Sequence, residues 1–484
     1  MGLLREETMA DAMLEAPERE GPPVRRERWW ELVRLAVRGT HQDYTTGPIG
    51  RSLVLLAVPM VLETLMESLF ALVDVFFVSR LGPDAVATVG LTESMLTLVY
   101  TVAMGLSIGL TAVVARRIGE KNPRAAAQAA VQGIVLGLLV AVLIAAAGIA
   151  LAPQLLALMG ASPSVQATGA GYTRVMLGGS GTVLLLFLIN AAFRGAGDAM
   201  IAMRSLWLAN AFNIVLGPCL IFGLGPFPEL GVTGAAVGTT IGRGMGVLYQ
   251  VAQLCRRDGR IRIEREDLRV HAAMLWSLVR LSAVGTFQIL IATSSYIGVV
   301  RVVSTFGSPV LAGYTIAIRL LFFVLLPSWG LSNAAATMVG QALGAGKPER
   351  AERAVRLAGL YNTGILLLVG AAFILCAHPI VALFTRDRAV ADQAVLALRI
   401  IGAGLPFYAY GMVIHQSFNG AGDTWTPTWL NIGCFWLLEI PLAWFLSRPL
   451  GPMGAYLAFP LAESTLTVAS AGMFRKGKWK AKRV

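Results

Sequence analysis

Three acidic side chains, Glu63, Glu67 and Asp74, stand in one apolar run between Pro59 and Gly82. A helix turns about 100° per residue, which sets Glu67 about 40° and Asp74 about 20° from Glu63. The three share a narrow stripe. An acid at the centre of a membrane helix costs about 2.5–3.5 kcal/mol, so the stripe is expected to face a helix bundle or a wet cavity and not lipid. Carboxylates so placed can trade protons or hold Na⁺ with neighbouring oxygens, or they can simply knit helices by hydrogen bonds. Intramembrane amides are candidate partners: Asn190 at the end of a later apolar run, and Asn210 and Asn213 three residues apart in the next.

The elements that must position these groups are membrane spans. Of 484 residues, 56% are hydrophobic and only 14% charged, against about 25% charged in soluble domains. About twelve spans, each long enough to cross an apolar layer of ~30 Å, are expected at 52–79, 85–115, 125–151, 164–193, 200–223, 231–254, 275–304, 309–343, 351–377, 389–418, 425–447 and 453–473. Pro59, Pro218, Pro327, Pro406 and Pro441 fall inside them and permit kinks. Residues 1–25 read as disordered, with no apolar signal-peptide core. Residues 27–38, with Trp29, Trp30, Leu32, Val33, Leu35 and Val37 among arginines, read as an amphipathic surface helix.

The chain repeats itself at one offset. Gly105-Leu106-Ser107 recurs as Gly330-Leu331-Ser332, and Gly195-Ala196-Gly197-Asp198 as Gly420-Ala421-Gly422-Asp423; Gly82 recurs as Gly307 and Gly119 as Gly344. Each pair is 225 apart (330 − 105, 420 − 195, 307 − 82, 344 − 119). An even number of spans per copy gives both copies the same orientation, with a pseudo-twofold along the membrane normal. The expected fold class is all-α integral membrane, with two pseudo-symmetric six-helix lobes around a central cleft. The expected organisation is a tail over 1–50, a first lobe over 51–254, a linker over 255–274, a second lobe over 275–473 and a basic tail over 474–484. The second copy lacks the acids: Val299, Ala292 and Gln288 replace Asp74, Glu67 and Glu63, and no Asp or Glu occurs from Leu268 to Pro348. Glu439 and Glu463 are its remaining embedded acids, and His415 a lone embedded histidine.

The net charge of +12 sits in short loops. Arg116, Arg117, Lys121 and Arg124, the arginines of 256–269, Lys347, Arg350, Arg353 and Arg356, and the basic tail all fall on one side if both termini are cytoplasmic, whereas 153–163 and 224–230 have no Lys or Arg. This is the positive-inside pattern of an inner-membrane protein, not a nucleic-acid surface. The four cysteines show no metal or disulfide spacing. Gly344-Ala345-Gly346-Lys347-Pro348 lacks the hydroxyl and leading glycine of a phosphate loop. Metalloprotease, hydrolase and kinase motifs are absent, so the chain reads as no enzyme, without cofactor. The Gly-Ala-Gly-Asp segments read as tight turns whose Asp198 and Asp423 can cap the next helix.

These features together resemble the MATE family, the multidrug and toxic compound extrusion transporters. The likeness runs from about residue 47 to 473 and rests on Pro59 to Gly82, with Val73-Asp74 and Arg80-Leu81-Gly82-Pro83, on Gly105 to Gly119, on Arg194 to Asp198 and on Asn419 to Asp423. It implies a V-shaped bundle, working as an antiporter that exports amphipathic or cationic compounds in exchange for H⁺ or Na⁺. It also implies a first-lobe ion site, as in the prokaryotic proton-coupled branch: Asp74, with Glu67 and Glu63 beside it and Asn190 and Asn213 as matching amides. Na⁺, if it is the ion, would sit at Asp74, Asn190 and Asn213. Gly217 stands where that branch often has an Asp. The seventh-span glutamate and tenth-span aspartate of other branches are missing near Ala292 and Tyr408.

Phe70, Phe287, Tyr296 and Tyr314 are candidate cleft aromatics, and the protein is expected to be a monomer whose partners are small substrates and the bilayer. The nearest rival is a lipid-linked oligosaccharide flippase, which embedded Arg174, Arg243, Arg301 and Arg319 would suit. A membrane enzyme is the rival of another class, opposed by the short loops.

Overall fold

The computed structural model describes residues 29–39, 42–256 and 259–482, with the side chains of residues 29 and 70–75 left aside. The expected tail over 1–25 lies outside them. The elements are helical, with no strand among the described residues. A short helix, α1 (Trp29–Arg38), precedes the first lobe: α2 (Ile49–Val78), α3 (Pro83–Gly119), α4 (Pro123–Leu158), α5 (Pro163–Gly178), α6 (Ser180–Ala196), α7 (Ala199–Phe222) and α8 (Val232–Leu254). The second lobe follows: α9 (Ala272–Ser304), α10 (Ser308–Gly344), α11 (Pro348–Leu375), the short α12 (Ala377–Ala382), α13 (Arg388–Gly420), α14 (Trp425–Asn431), a π-helical segment (Ile432–Glu439), α15 (Ile440–Leu450) and α16 (Pro452–Arg475).

The twelve expected spans are all present. Eleven are long and apolar enough to cross a membrane; α8 is diluted by five glycines and carries Arg243 and Gln250. Two spans are broken. The fourth divides at Gly178-Gly179, where a side chain at 179 would crowd Thr240 at 2.7 Å. The eleventh widens into the π segment just before Pro441. Pro441 has no N–H for the carbonyl of Leu437, and the wider turn re-registers the backbone there.

The lobes join at the end that carries the basic loops. Two close approaches hold them, one at that end and one near mid-span, each made twice. A Cβ on Gly105 would overlap the backbone of Thr286, and one on Gly330 would come within 2.7 Å of Val61 N. Thr286 follows Val61 by 225 residues (286 − 61), as Gly330 follows Gly105. A Cβ on Gly119 would overlap the carbonyl of Gln341, and one on Gly344 the carbonyl of Arg116; these partners are again 225 apart (341 − 116). The contacts therefore obey the same pseudo-twofold as the sequence. Leu53, Leu56 and Met60 at the start of α2 are buried in a core with Ala334, Val339, Val355 and Ile414 of the second lobe. The first span of the first lobe thus packs into the second lobe.

Toward the other end, these described contacts reach Thr64, whose hydroxyl donates to Leu326 O at 3.1 Å. Beyond that level Phe76, Leu98, Ile297, Phe322 and Phe323 are all more than half exposed. The pair of lobes is closed at the basic end and parted at the opposite one, which gives the V its direction.

Two straps reinforce the closed end. Residues 42–47 lie between the lobes: Asp43 takes an ion pair from Lys121 at 2.6 Å, and Arg350 donates to the carbonyls of Tyr44, Thr46 and Gly47 at 2.8–3.0 Å. At the C-terminus, buried Trp479 stacks on Phe474 at 4.6 Å. Lys482 pairs with Asp423 at 3.3 Å while its carbonyl accepts from Arg116 at 2.8 Å.

The Gly-Ala-Gly-Asp turns close as expected but cap differently. Gly197 and Gly422 take φ of 88° and 82°, and the amides of Asp198 and Asp423 donate to Phe193 O and Phe418 O at 2.8 and 2.9 Å, a Schellman closure. Neither aspartate caps the following helix. Asp198 pairs with Arg260 at 3.4 Å, and Asp423 accepts from Thr426 at 2.7 Å besides pairing with Lys482. Nearby cations outcompete backbone amides for these carboxylates.

The glycine contacts predict that Gly119→Val and Gly344→Val each lower the thermal stability of purified protein by about 1–3 kcal/mol through overpacking. Gly364→Ala, where nothing lies within 4 Å, leaves stability unchanged or raised by about 0.5–1 kcal/mol. A second expectation concerns Asp43. Partial burial would raise its pKa, but the Lys121 ammonium and the Thr45 hydroxyl and amide overcome this and hold it at about 2 against an ordinary 3.8. A depressed folded-state pKa stabilises above the unfolded value and is lost as pH falls. Amide-exchange protection of 42–47, corrected for intrinsic rates, is therefore expected to hold at pH 5 and decline as pH falls from about 4 to about 2; in Lys121→Gln the decline begins at higher pH.

Candidate functional site

Two acids of the stripe, Glu63 and Glu67, have described side chains on α2. Glu63 is 5% exposed. Its Oε1 accepts from Asn190 Nδ2 at 3.0 Å and from Arg194 Nη1 at 2.8 Å, both one turn apart on α6. Asn190 Oδ1 in turn accepts from Ser205 on α7 at 3.1 Å and from Gln250 on α8. Four helices of the first lobe meet in this network. Glu63 Oε2, Gln250 Oε1 and nearby Asn210 Oδ1 are buried acceptors without a hydrogen-bond partner. Buried acceptors left open are where a lobe admits a cation or water.

Glu67, one turn further along α2, is within electrostatic reach of Arg243, Glu63 and Arg194. Arg243 on α8 is 8% exposed, donates to the Tyr100 hydroxyl of α3 at 2.6 Å, and sits 5.7 Å from that ring. Asn213 donates to Thr239 at 2.9 Å, and Asn210 donates to the Met66 carbonyl of α2 at 3.2 Å. The backbone of residues 70–75 continues the helix, but the side chains of Asp74 and Phe70 lie outside the described residues.

Among the aromatic candidates, Phe287 is 48% exposed, and Tyr296 makes an edge contact with half-exposed Phe322 at 6.1 Å. Tyr314 is not at a surface. It is 2% exposed and stacks on Tyr456 at 5.5 Å in the second lobe's core, because its face of α10 turns inward against α13 and α16. Of the embedded arginines, only Arg243 is buried; Arg174, Arg301 and Arg319 are exposed.

Sequence reasoning missed Arg194 as the counter-charge of Glu63 and missed Gln250 and Ser205 as partners of Asn190. It also passed over a correspondence. Gln288 and His415 face each other at 2.9 Å between their side-chain nitrogens, and they stand 225 residues after Glu63 and Asn190 (288 − 63, 415 − 190). The second lobe thus repeats the contact between its first and fourth spans, with the charge removed. At the place of Arg194 it has Asn419 (419 − 194). The offset already visible in the glycines would have found both.

The MatE family profile matches residues 59–219 and 286–445, one segment in each lobe. The chain is 27% identical over 454 residues to the "Probable multidrug resistance protein NorM" of Thermotoga maritima, covering 90% of this chain and 94% of that one. It is 26% identical over 445 residues to the "Probable multidrug resistance protein YoeA" of Bacillus subtilis, covering 90% and 95%. A crystal structure described as the "Outward-facing conformation of a multidrug resistance MATE family transporter of the MOP superfamily" superimposes with a TM-score of 0.83 at 26% identity, covering 91% of this chain and 98% of the other. With both lobes matched in sequence and the whole bundle matched in shape, the chain belongs to the MatE family.

Proposed function

We propose that this protein is a secondary active multidrug exporter of a cell (inner) membrane, which expels amphipathic or cationic compounds in exchange for H⁺ or Na⁺ by alternating access. The observation that carries this reading is the interface sealed at one end only, with intramembrane acids on the span that crosses it. The basic end is cytoplasmic by the charge of its loops, so the parted end faces outward and the chain is in an outward-open form. A monomer suffices, because both halves of the machine lie in one chain.

The coupling group in this proposal is Asp74, assisted by Glu67, Asn190 and Asn213. Cation uptake at α2 has different affinities in the two states, and that difference shifts their populations. Glu63 plays another part. Its charge is already met by Arg194, so it ties α2 to α6 and fixes the stripe in register. Phe287 and Tyr296 supply apolar wall for substrate. The flippase reading gains no support from arginines of which three are exposed and the fourth is held by Tyr100.

Efflux of a cationic dye from proteoliposomes is expected to follow an imposed proton or sodium gradient. Asp74→Asn should lose this coupling by about 5- to 150-fold while dye binding persists. Dye efflux indifferent to both gradients would sink the antiport reading; undiminished coupling in the variant would sink the assignment of Asp74. Glu63→Gln should behave differently. It leaves the Arg194 guanidinium, 15% exposed, without its counter-charge and costs up to about 3 kcal/mol of thermal stability, and the double variant Glu63→Gln/Arg194→Gln recovers most of that loss.

A further inference from the structure

A cavity of about 250 Å³ opens at the basic end between α1, the first turns of α2 and α7, and the end of α8. The transport scheme above leaves it unused. Ala36, Leu55 and Pro59, all buried, give it an apolar inner wall. Arg38, Arg204 and Arg256, all exposed, also line it and so stand toward its mouth. None of the three pairs with a carboxylate among the described residues. Arg204 spends one nitrogen on the carbonyls of Val37 and Arg38 at 3.3 Å, which ties the last turn of α1 to α7, and Arg256 donates to Gln253 at 3.3 Å. The one acid among the lining residues, Asp198, is already paired with Arg260 at 3.4 Å. The cavity thus sets a surplus of positive charge over an apolar wall.

Its depth says what kind of molecule reaches it. Arg204 lies five residues into α7 from Ala199, about 8 Å along that helix from the basic end. Trp207, less than one turn further, is 45% exposed, and Leu248 on α8, beside the cavity residue Tyr249, is 63% exposed. Exposed apolar side chains at that level of a membrane protein face lipid, and an indole there marks where headgroups meet chains. Guanidinium groups are matched to phosphate oxygens in charge and in geometry. We propose that this cavity binds the phosphate of a net-negative lipid headgroup from the leaflet at the basic end. The three arginines take the phosphate oxygens, and the chains stay in the bilayer. A zwitterionic headgroup would bring an ammonium to a wall whose one acid is already paired. Occupancy also reaches the interface between the lobes. Tyr44 is part of the wall, its ring lies 5.0 Å from the Arg260 guanidinium, and its carbonyl accepts from Arg350 of the second lobe at 3.0 Å. A bound headgroup therefore holds α1 and residues 42–47 in place across the closed end. As a lipid site this stands on its own geometry; its effect on transport rests on the antiport reading.

The test is amide hydrogen exchange of the full chain in phosphatidylcholine nanodiscs, without and with phosphatidylglycerol, alongside native mass spectrometry of lipid bound to the purified protein. The parent is expected to bind phosphatidylglycerol in preference to phosphatidylcholine and to gain exchange protection at 30–39 and 42–47. Arg38→Gln/Arg256→Gln should weaken that binding about 30-fold and lose the added protection. Arg353→Gln/Arg475→Gln removes the same charge from exposed positions of the second lobe outside the cavity, and should lose neither. Equal losses in the two double variants reduce the effect to general surface charge and overturn the site, as does a parent that phosphatidylglycerol does not protect. Inorganic phosphate that gives the same protection in phosphatidylcholine alone assigns the cavity to a free anion and overturns the lipid. Dye efflux from vesicles of the two compositions separates the two readings. Lipid-dependent protection without gradient-driven efflux spares the site and sinks the antiporter, and gradient-driven efflux without that protection does the reverse.

Discussion

Backbones of helices from opposite lobes touch from the basic end to mid-span, and a single methyl group at Gly105, Gly119, Gly330 or Gly344 would prevent it. Lipid tails are as apolar as leucine, so two helices gain little by burying large side chains against each other in a membrane. Close packing and interhelical hydrogen bonds must hold them instead. Small residues make that approach possible, and Gln341 exploits it by donating across the lobes to Gly195 O at 2.9 Å. The rest of the architecture follows. With the join ending near mid-span, the opposite ends of α2, α3, α9 and α10 are free to part.

A join of this kind suits a molecule with two states. Backbone contacts at glycine form or do not form; they do not stretch. The straps at 42–47 and 478–482 add charged ties that water and salt can weaken. Tyr44 and Trp479 seat both straps in the buried core at this end, so releasing either one uncovers apolar surface. The closed end therefore combines close backbone packing with straps held by buried aromatic anchors and charged ties.

Within this symmetric frame the polar interior is unequal. Glu63, Asn190 and Arg194 make a charged network in the first lobe, and Gln288, His415 and Asn419 stand in their places in the second. Duplication supplied two identical scaffolds, and substitution at matching positions gave each a separate chemistry. The backbone contacts could not diverge in the same way, because every larger side chain at those glycines meets main chain on the other lobe.

Much of this was legible in the chain before folding. The number of spans, the duplication, the basic side and the acidic stripe on α2 come from hydropathy, spacing and helical period, which are properties of short windows. The 225-residue offset reaches further and anticipates which glycines correspond. Partner choice was not legible. Arg194 lies 131 residues from the Glu63 it neutralises, Tyr314 turned from expected cleft wall to core, and the aspartates of the repeated turns bind side chains where backbone amides were expected. Sequence determined which groups enter the membrane, because the cost of transfer is local to each helix. Only packing of helices decided which of them find a counter-charge and which remain alone, because that depends on faces brought together from distant parts of the chain.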